Sequence, residues 1–296
     1  MHSTNVILVP TDFSPRSLLA LNQAIFIAKK TKAEIMLLYV IHSDNKTFGF
    51  ISEMFTVEEN ELIRDKVEKQ IWAQLDQLID SKKDSGVTIK AMISKGKAYD
   101  KVVEVSQSIN AQFIVIGSNS AELNDRIGFL GSNTSRIIRA SSVPVITVST
   151  KVSTDIKAVI LPLDLTKQTQ QKVAKAIQFA REFNAKIKIV SALLTNDPAI
   201  VKQLTVQMNV VHKFISEHYD NCSADFVFGD EKTDTYASLL MKFAKEKNGD
   251  IIAIMTQQES KLIKFFMGTT AMDIVFNSDI PVLSVTPKEL NLTSYR

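Results

Sequence analysis

The sequence predicts an α/β protein of two tandem domains, each built on a doubly wound five-stranded parallel sheet. Three observations lead to this fold class. An internal repeat carries Ile7 to Ser14 onto Val159 to Thr166, 152 positions later, with Asp12 over Asp164. Short apolar runs alternate with amphipathic segments of ten or more residues, which indicates right-handed βαβ units. A length of 296 residues suits about two domains.

A second repeated motif occurs near the end of each half. Gly131-Ser132-Asn133-Thr134, followed by Val143-Pro144-Val145, recurs as Gly268-Thr269-Thr270 followed by Ile280-Pro281-Val282. A period of about 140 to 150 residues is too long for a solenoid unit and suits one whole domain. We therefore expect domains at residues 1–150 and 155–287, with the polar residues 150–156 as the linker.

The first half begins with a β-branched run and continues with apolar residues at helical spacing, among them Leu18, Leu21 and Ile25. Residues 34–41 are continuously apolar, as expected for a strand buried on both faces. Five strands are predicted in this half, at 6–9, 34–41, 87–93, 113–116 and 145–148. Helices are predicted at 17–30, 57–81, 99–109 and 133–140.

The second half follows the same order of elements. Its predicted strands cover 158–161, 186–192, 224–228, 251–255 and 282–285. Its predicted helices cover 168–183, 198–219, 235–247 and 270–277.

The composition and charge argue against several classes of function. The charges are 35 basic and 32 acidic side chains without a basic face, so nucleic acid is a poor candidate partner. Nothing resembles a secretory signal or the roughly 20-residue apolar run of a membrane span, and we expect a cytoplasmic protein. The single Cys222 excludes an intramolecular disulfide and is expected to be an isolated thiol.

Ligands of an open α/β sheet bind beyond the carboxyl ends of its strands. In the first half those ends supply Thr11, Asp12 and Ser14, then residues 40–42, then Lys95 and Gly96, and then residues 117–120. The loop after Gly117 closes on Gly131-Ser132 at the start of a helix, where free N–H groups and the helix dipole favour an anion. Ser132 or Asn133 could equally be the N-cap of that helix.

These residues together resemble the universal stress protein family in tandem form. The resemblance rests on Val-Pro-Thr-Asp-Phe-Ser at 9–14, the strand ending near Val40, Gly117, Gly131-Ser132 and the terminal Val-Pro-Val strand. It implies the adenine-nucleotide alpha hydrolase-like fold and a stress-response function. In the family's nucleotide-binding members, a Gly-x-x-Gly-x9-Gly-Ser/Thr loop wraps the phosphates of ATP, while the first Asp and the second strand hold the ribose and adenine.

The family resemblance also implies a pairing between the two halves. Short terminal strands such as 145–148 and 282–285 pair subunits at the sheet edge in the family. Two fused copies are therefore expected to form a pseudo-twofold dimer within one chain.

The first half departs from the nucleotide pattern, and the second half departs further. The first reads Gly117-x-x-Ser120-x10-Gly131-Ser132, so Ser120 replaces the middle glycine and the loop is one residue longer. In the second half Met255 and Gln258 replace the two upstream glycines, and only Gly268-Thr269 remains.

The two halves also differ in charge after the final glycine. Arg136 and Arg139 of the first half stand where the second half has Asp273 and Phe276. The arginines would attract a triphosphate if they face it, and solvated helix faces explain them equally well.

We therefore expect adenine nucleotide, if bound, at Thr11, Asp12, Val40, Gly117, Ser120, Gly131, Ser132 and Asn133, with the need for magnesium left open. An acid-base pair of His42 with Asp12 is the minority alternative, because no nucleophile accompanies it. A non-nucleotide adaptor is the competing function. Its binding patch would be the loop at residues 43–55, which carries Phe48, Phe50 and Phe55 and could instead be core packing.

Overall fold

The computed structural model describes residues 5–42, 56–118, 132–165, 169–255 and 266–285. The strands of the first half are β1 (Val6–Pro10), β2 (Glu34–His42), β3 (Ile89–Gly96), β4 (Phe113–Gly117) and β5 (Val145–Val148). Its helices are α1 (Pro15–Thr31), α2 (Val57–Asp80), α3 (Ala98–Ser108) and α4 (Ser132–Ala140), with a 3₁₀ turn at Lys83–Ser85.

The second half repeats the order. Its strands are β6 (Ala158–Pro162), β7 (Lys186–Leu193), β8 (Cys222–Phe228), β9 (Ile251–Met255) and β10 (Val282–Val285). Its helices are α5 (Thr169–Phe183), α6 (Pro198–His218), α7 (Tyr236–Glu246) and α8 (Phe266–Asn277).

One ten-stranded sheet runs through both halves, in the order β3-β2-β1-β4-β5-β10-β9-β6-β7-β8. Within each half the neighbouring strands are parallel, and the halves join where β5 and β10 pair antiparallel, with Leu283 opposite Ile146. This pairing confirms the predicted pseudo-twofold arrangement. Because the junction is antiparallel, the carboxyl ends of the two half-sheets lie at opposite edges of the joined sheet.

Local sequence signals explain where the helices begin. Ser14 caps α1 by accepting a hydrogen bond from the Ser17 N–H, and Pro15 supplies the preset φ of the first helical position. Thr56 and Glu59 form a capping box at the start of α2. These caps satisfy N–H groups that the first helical turn leaves without partners.

The duplication extends to the hydrogen bonds that end the elements. Lys32 after α1 has φ 54°, and Asn184 after α5 has φ 52°. Ala33 N donates to Ala28 O at 3.1 Å, and its counterpart Ala185 N donates to Ala180 O at 2.9 Å. The two copies therefore share their backbone conformation even where the side chains differ.

Several boundaries differ from the sequence prediction. β3 begins at Ile89, two residues later than expected, and runs on to Gly96 because it stays paired with β2 as far as His42. β8 begins two residues early at Cys222, where it pairs with Ile187, and α8 begins at Phe266. Pairing with a neighbouring strand, which a local pattern does not contain, sets these strand ends.

The linker is part of the packed structure, although its polar composition predicted only a connection. Ile156 is 1% exposed and Ser153 is 7% exposed. The Gln23 side chain of α1 pairs with the Ser153 backbone, accepting from its N–H at 2.7 Å and donating to its carbonyl at 3.4 Å. The linker therefore fills the cleft between α1 and the second half.

Candidate functional site

The strand order reverses at β1, which pairs with β2 on one side and with β4 on the other. Their carboxyl ends bring Thr11, Asp12, Val40 and Gly117 to one edge of the sheet, as the sequence predicted. This edge is where open α/β sheets bind their ligands.

The chain turns sharply after β1. Thr11 N donates to Leu38 O at 2.9 Å, which continues the pairing with β2 one residue past the strand. The next turn requires Phe13 to take φ 63°, a left-handed conformation that is uncommon for a bulky residue. The buried Thr11 hydroxyl oxygen stabilises the turn by accepting a hydrogen bond from Phe13 N at 3.1 Å.

Asp12 stabilises the same turn and remains exposed. Its Oδ1 accepts a hydrogen bond from Ser14 N at 3.0 Å, so Asp12 orients the cap residue of α1 and does not cap the helix itself. Desolvation raises the pKa of Asp12, but hydrogen bonds from Ser14 and Ser17 outweigh it and leave the pKa below the ordinary value of 3.8. Asp12 is therefore a carboxylate at neutral pH.

Gly117 has a packing role at the end of β4. A Cβ at this position would lie 2.8 Å from Arg16 O and 2.9 Å from Arg16 C, which are backbone atoms of the first turn of α1. Arg16 also reaches across, and its Nη1 donates to Ser118 O at 3.3 Å. The close approach of α1 to β4 therefore requires glycine here whether or not a ligand binds.

Ser118 lies in the stretch 117–120 that the sequence placed at this edge, but sequence reasoning gave it no role. It is 1% exposed, and its hydroxyl finds no hydrogen-bond partner in the part of the chain that the structure describes. A buried hydroxyl without a partner is costly, and such groups in native structures call for an explanation. Its position directly after Gly117, at the end of a buried strand, was the available signal.

An aromatic pair lies beside the end of β2. The rings of Phe13 and Tyr39 stack with centroids 5.2 Å apart, which places the left-handed residue of the turn against β2. Val40, the next residue, is half-buried and packs on the core of the opposite sheet face.

The predicted phosphate loop is only partly described. Ser120 and Gly131 lie outside the described residues, as does the loop at 43–55. Ser132 opens α4, Asn133 is exposed, and Thr134 is buried. The guanidinium of Arg136 lies 4.9 Å from the centre of the Tyr99 ring, so its observed role is to stack between α4 and α3.

The second half repeats the backbone of this edge with apolar side chains. Leu163 N donates to Val190 O at 2.9 Å, as Thr11 does to Leu38, and Leu165 has φ 54° where Phe13 has 63°. Leu163 is buried where the first half has the Thr11 hydroxyl, and Met255 is buried at the position of Gly117. The left-handed turn is therefore a feature of the duplicated scaffold and is not diagnostic of a ligand.

Across the described residues, no group of three or more His, Cys, Asp or Glu side chains could hold a metal ion. Among the described helices, none is both long and apolar enough to span a membrane.

Comparison with known proteins identifies the family. The model of the Universal stress protein family matches residues 4–149 and again residues 155–286. The chain therefore belongs to the universal stress protein family, in a tandem form, and has a role in the stress response.

Two curated relatives come from the archaeon Methanocaldococcus jannaschii. Universal stress protein MJ0531 is 30% identical over 149 residues, which is 48% of this chain and 80% of the relative. Universal stress protein MJ0577 is 27% identical over 157 residues, which is 50% of this chain and 96% of the relative. Each relative thus corresponds to about half of this chain.

Solved structures match the whole chain in fold. A universal stress protein from Archaeoglobus fulgidus superposes with a TM-score of 0.71 at 18% identity, covering 96% of this chain and 97% of that one. The Pseudomonas aeruginosa protein PA1789, described as functionally unknown, gives a TM-score of 0.66 at 14% identity, with 96% and 93% covered. These likenesses confirm the predicted fold class.

Proposed function

We propose that the first half binds an adenine nucleotide, ATP in the first instance, beyond the carboxyl ends of β1, β2 and β4. The second half is then a structural partner without a nucleotide site. The observation that carries the proposal is the buried, unpartnered hydroxyl of Ser118, next to the glycine that begins the family's phosphate-loop pattern.

The surrounding residues fit such a ligand. Asp12 presents an exposed carboxylate, which is a suitable acceptor for ribose hydroxyl groups. Ser118 offers a hydroxyl that can donate a hydrogen bond to the ligand and so regain what burial removed. Gly131 and Ser132 are the residues that the family pattern assigns to the phosphates, and Ser132 is the first residue of α4.

The corresponding edge of the second half does not fit. Leu163 and Met255 are apolar and buried where the first half has Thr11 and Gly117. Asp273, which is exposed on α8, adds a negative charge at the position of Arg136. One nucleotide per chain is therefore the expected stoichiometry.

Isothermal titration of ATP, ADP and AMP into the purified chain, with and without magnesium, tests the proposal. We expect one site per chain. Ser118→Ala should weaken ATP binding about fivefold, the effect of one lost hydrogen bond. The same substitution should raise the free energy of unfolding without nucleotide by about 1 kcal/mol, because it removes an unsatisfied buried group.

Ser284→Ala is the matched control. Ser284 is 2% exposed in β10, and its hydroxyl likewise has no partner among the described residues. This variant should gain the same stability and keep the parent's ATP affinity. Two sites per chain would contradict the assignment to the first half, and no binding of any of the three nucleotides would favour the adaptor hypothesis.

A further inference from the structure

Two strands form the outer edges of the joined sheet. In the part of the chain that the structure describes, β3 pairs only with β2, and β8 pairs only with β7. An edge strand presents a row of backbone N–H and C=O groups that can pair with another chain. These two edges are therefore the places where the sheet can continue into a second molecule.

The hydrogen bonds between β8 and β7 show which residues of β8 point outward. Gly229 N, just past the end of β8, donates to Leu193 O of β7 at 2.9 Å. Because alternate residues of a strand bond to the same neighbour, the odd-numbered residues of β8 bond to β7. The backbone N–H and C=O groups of Ala224 and Phe226 consequently point away from the sheet.

The opposite parity holds at β3. Ile35 N of β2 donates to Thr88 O, just before β3, at 2.8 Å. The even-numbered residues of β3 therefore bond to β2, and the backbone N–H and C=O groups of Ile89 and Ala91 point outward.

The two edges carry opposite charges at matching spacing. Lys90 and Lys95 lie on β3, five residues apart. Asp225 lies on β8, and Asp220 lies five residues before it, just ahead of the strand. β8 itself contains no lysine or proline, the residues that commonly protect an edge strand from pairing.

The lysines of β3 also contact carboxylates of their own chain. Lys90 Nζ lies 2.6 Å from Glu34 Oε2, and Lys95 Nζ lies 2.8 Å from Glu68 Oε2. The two lysine side chains are nevertheless 58% and 63% exposed. Because an ammonium group has three N–H donors, each lysine can contact a second carboxylate from another molecule.

We propose that β8 of one molecule pairs antiparallel with β3 of a second copy of this chain, with Asp225 opposite Lys90 and Asp220 near Lys95. The direction follows from the fold, because the two halves join antiparallel and β3 and β8 run in opposite directions. A second copy placed beside the first in the same orientation therefore presents its β3 antiparallel to β8.

This register also satisfies the backbone. It places Ala224 opposite Ala91 and Phe226 opposite Ile89, so the residues with outward N–H and C=O groups face each other and exchange hydrogen bonds. All four side chains pack on the same core face, so the extended sheet keeps one helical layer on each side. Opposite charges at directly opposed positions stabilise the pairing further.

Charge favours this pairing over pairing of like edges. Two β3 strands would bring lysines together, and two β8 strands would bring aspartates together, which is unfavourable. Pairing of β8 with β3 leaves one free edge of each kind at the ends of the assembly. The copies therefore join head to tail, into a chain or a closed ring. The assembly is independent of nucleotide binding.

Sedimentation velocity of the purified full chain, over a range of protein and salt concentrations, tests the assembly. At low ionic strength we expect species larger than a dimer, which dissociate as salt rises because the charged pairs are exposed. Asp225→Lys should weaken association about tenfold, since it places two lysines opposite each other. Asp273→Lys, the same charge change at an exposed site on α8, should associate like the parent.

Two proline variants identify the strands that pair. Ala224→Pro and Ala91→Pro each remove an outward N–H and keep the bonds to the inner neighbour, a position where edge strands tolerate proline. Circular dichroism confirms that each variant is folded. Each alone should remain monomeric, and a mixture of the two should form a one-to-one dimer and nothing larger, because one intact edge of each kind remains.

Three outcomes would overturn the proposal. The first is a parent protein that stays monomeric at every concentration. The second is association that Asp225→Lys leaves unchanged. The third is a proline variant that dimerises alone, which would show that like edges pair.

Discussion

The two halves share a backbone and differ in polar chemistry at the same edge. Phe13 and Leu165 both adopt the left-handed turn, and Thr11 and Leu163 make the same backbone hydrogen bond to the neighbouring strand. The first half surrounds that turn with a hydroxyl and a glycine, while the second has Leu163 and Met255 there. Scaffold geometry therefore persists without a polar site, and only the side chains distinguish a candidate site from its structural copy.

The same contrast appears between the two clefts at the junction of the halves. One is filled by the linker, where the Ser153 N–H donates to Gln23. In the same cleft Asp250 accepts hydrogen bonds from the N–H groups of Lys157 and Ala158, at the start of β6. The other lies beside Gln112 and Glu182, where Gln112 Nε2 donates to Glu182 Oε1 at 3.1 Å and the remaining oxygen of each side chain has no partner among the described residues. The chain has a single linker between its two halves. The linker can therefore fill only one of the two clefts related by the pseudo-twofold axis, and the other cleft differs from it.

The largest effect on the free energy of unfolding is expected for Gly117, which stands where the second half has Met255. Gly117→Ala should lower the free energy of unfolding by about 3 kcal/mol, because the new Cβ meets the Arg16 backbone, which cannot move without shifting α1. Urea denaturation measures this effect. Gly86→Ala is the control: its Cβ meets open space at φ 72°, so only the left-handed strain of about 1 kcal/mol applies. Equal losses in the two variants would contradict the packing role of Gly117.

The second-largest effect is a difference in folding stability between variants of the two clefts. Gln23→Ala should lower the free energy of unfolding by about 2 kcal/mol, because it leaves the buried N–H and carbonyl groups of Ser153 without their partner. Lys175 is the residue of α5 that corresponds to Gln23, and it is exposed. Lys175→Ala should therefore change the free energy of unfolding by less than about 0.5 kcal/mol. Thermal and urea unfolding of both variants decide this, and a large loss in the Lys175 variant would mean that the second cleft is also structurally essential.

A smaller effect concerns the phosphate loop. Ser120→Gly, combined with deletion of one residue between Ala121 and Leu130, restores the family spacing in the first half. We expect ATP to bind about tenfold more tightly, which corresponds to about 1.4 kcal/mol. The control Gln258→Gly in the second half should leave ATP binding unchanged. A repaired loop that folds normally and binds ATP no better than the parent would favour the adaptor function.

The smallest effect is a difference in pH dependence between two carboxyl groups. The pKa of Glu182 is raised from 4.5 by burial, so the folded state holds this proton to higher pH than the unfolded state does. Its contribution to stability is present below about pH 4.5 and is lost as pH rises through the raised pKa. Relative to Glu182→Gln, the parent should therefore lose stability across that window.

Asp12 should show the opposite sign. Its pKa is lowered from 3.8, so its contribution is present above that pH and is lost as pH falls through the lowered value. Relative to Asp12→Asn, the parent should lose stability on acidification. Urea denaturation from about pH 2 to pH 7 measures both differences, and trends of the same sign for the two pairs would contradict the assignments.

The sequence was sufficient for the architecture. Apolar runs and helical spacing are local properties, and the repeat shows that the same order of elements occurs twice, so the five strands of each half were predictable. The family resemblance also predicted that β5 and β10 pair and so join the halves. Boundaries were less accurate at β3 and β8, because their ends depend on pairing with β2 and β7.

The candidate site was predictable only in outline. Thr11, Asp12, Val40 and Gly117 could be placed at one edge because parallel strands end together. The sequence did not show that Gly117 contacts the Arg16 backbone, that Ser118 is buried without a partner, or that Gln112 reaches Glu182. Gln112 and Glu182 are 70 positions apart in the chain, and the other two facts depend on a close approach or a burial that several elements set together. Repeats and periodicity fix which elements form, whereas the partner of each buried polar atom is decided only when those elements pack.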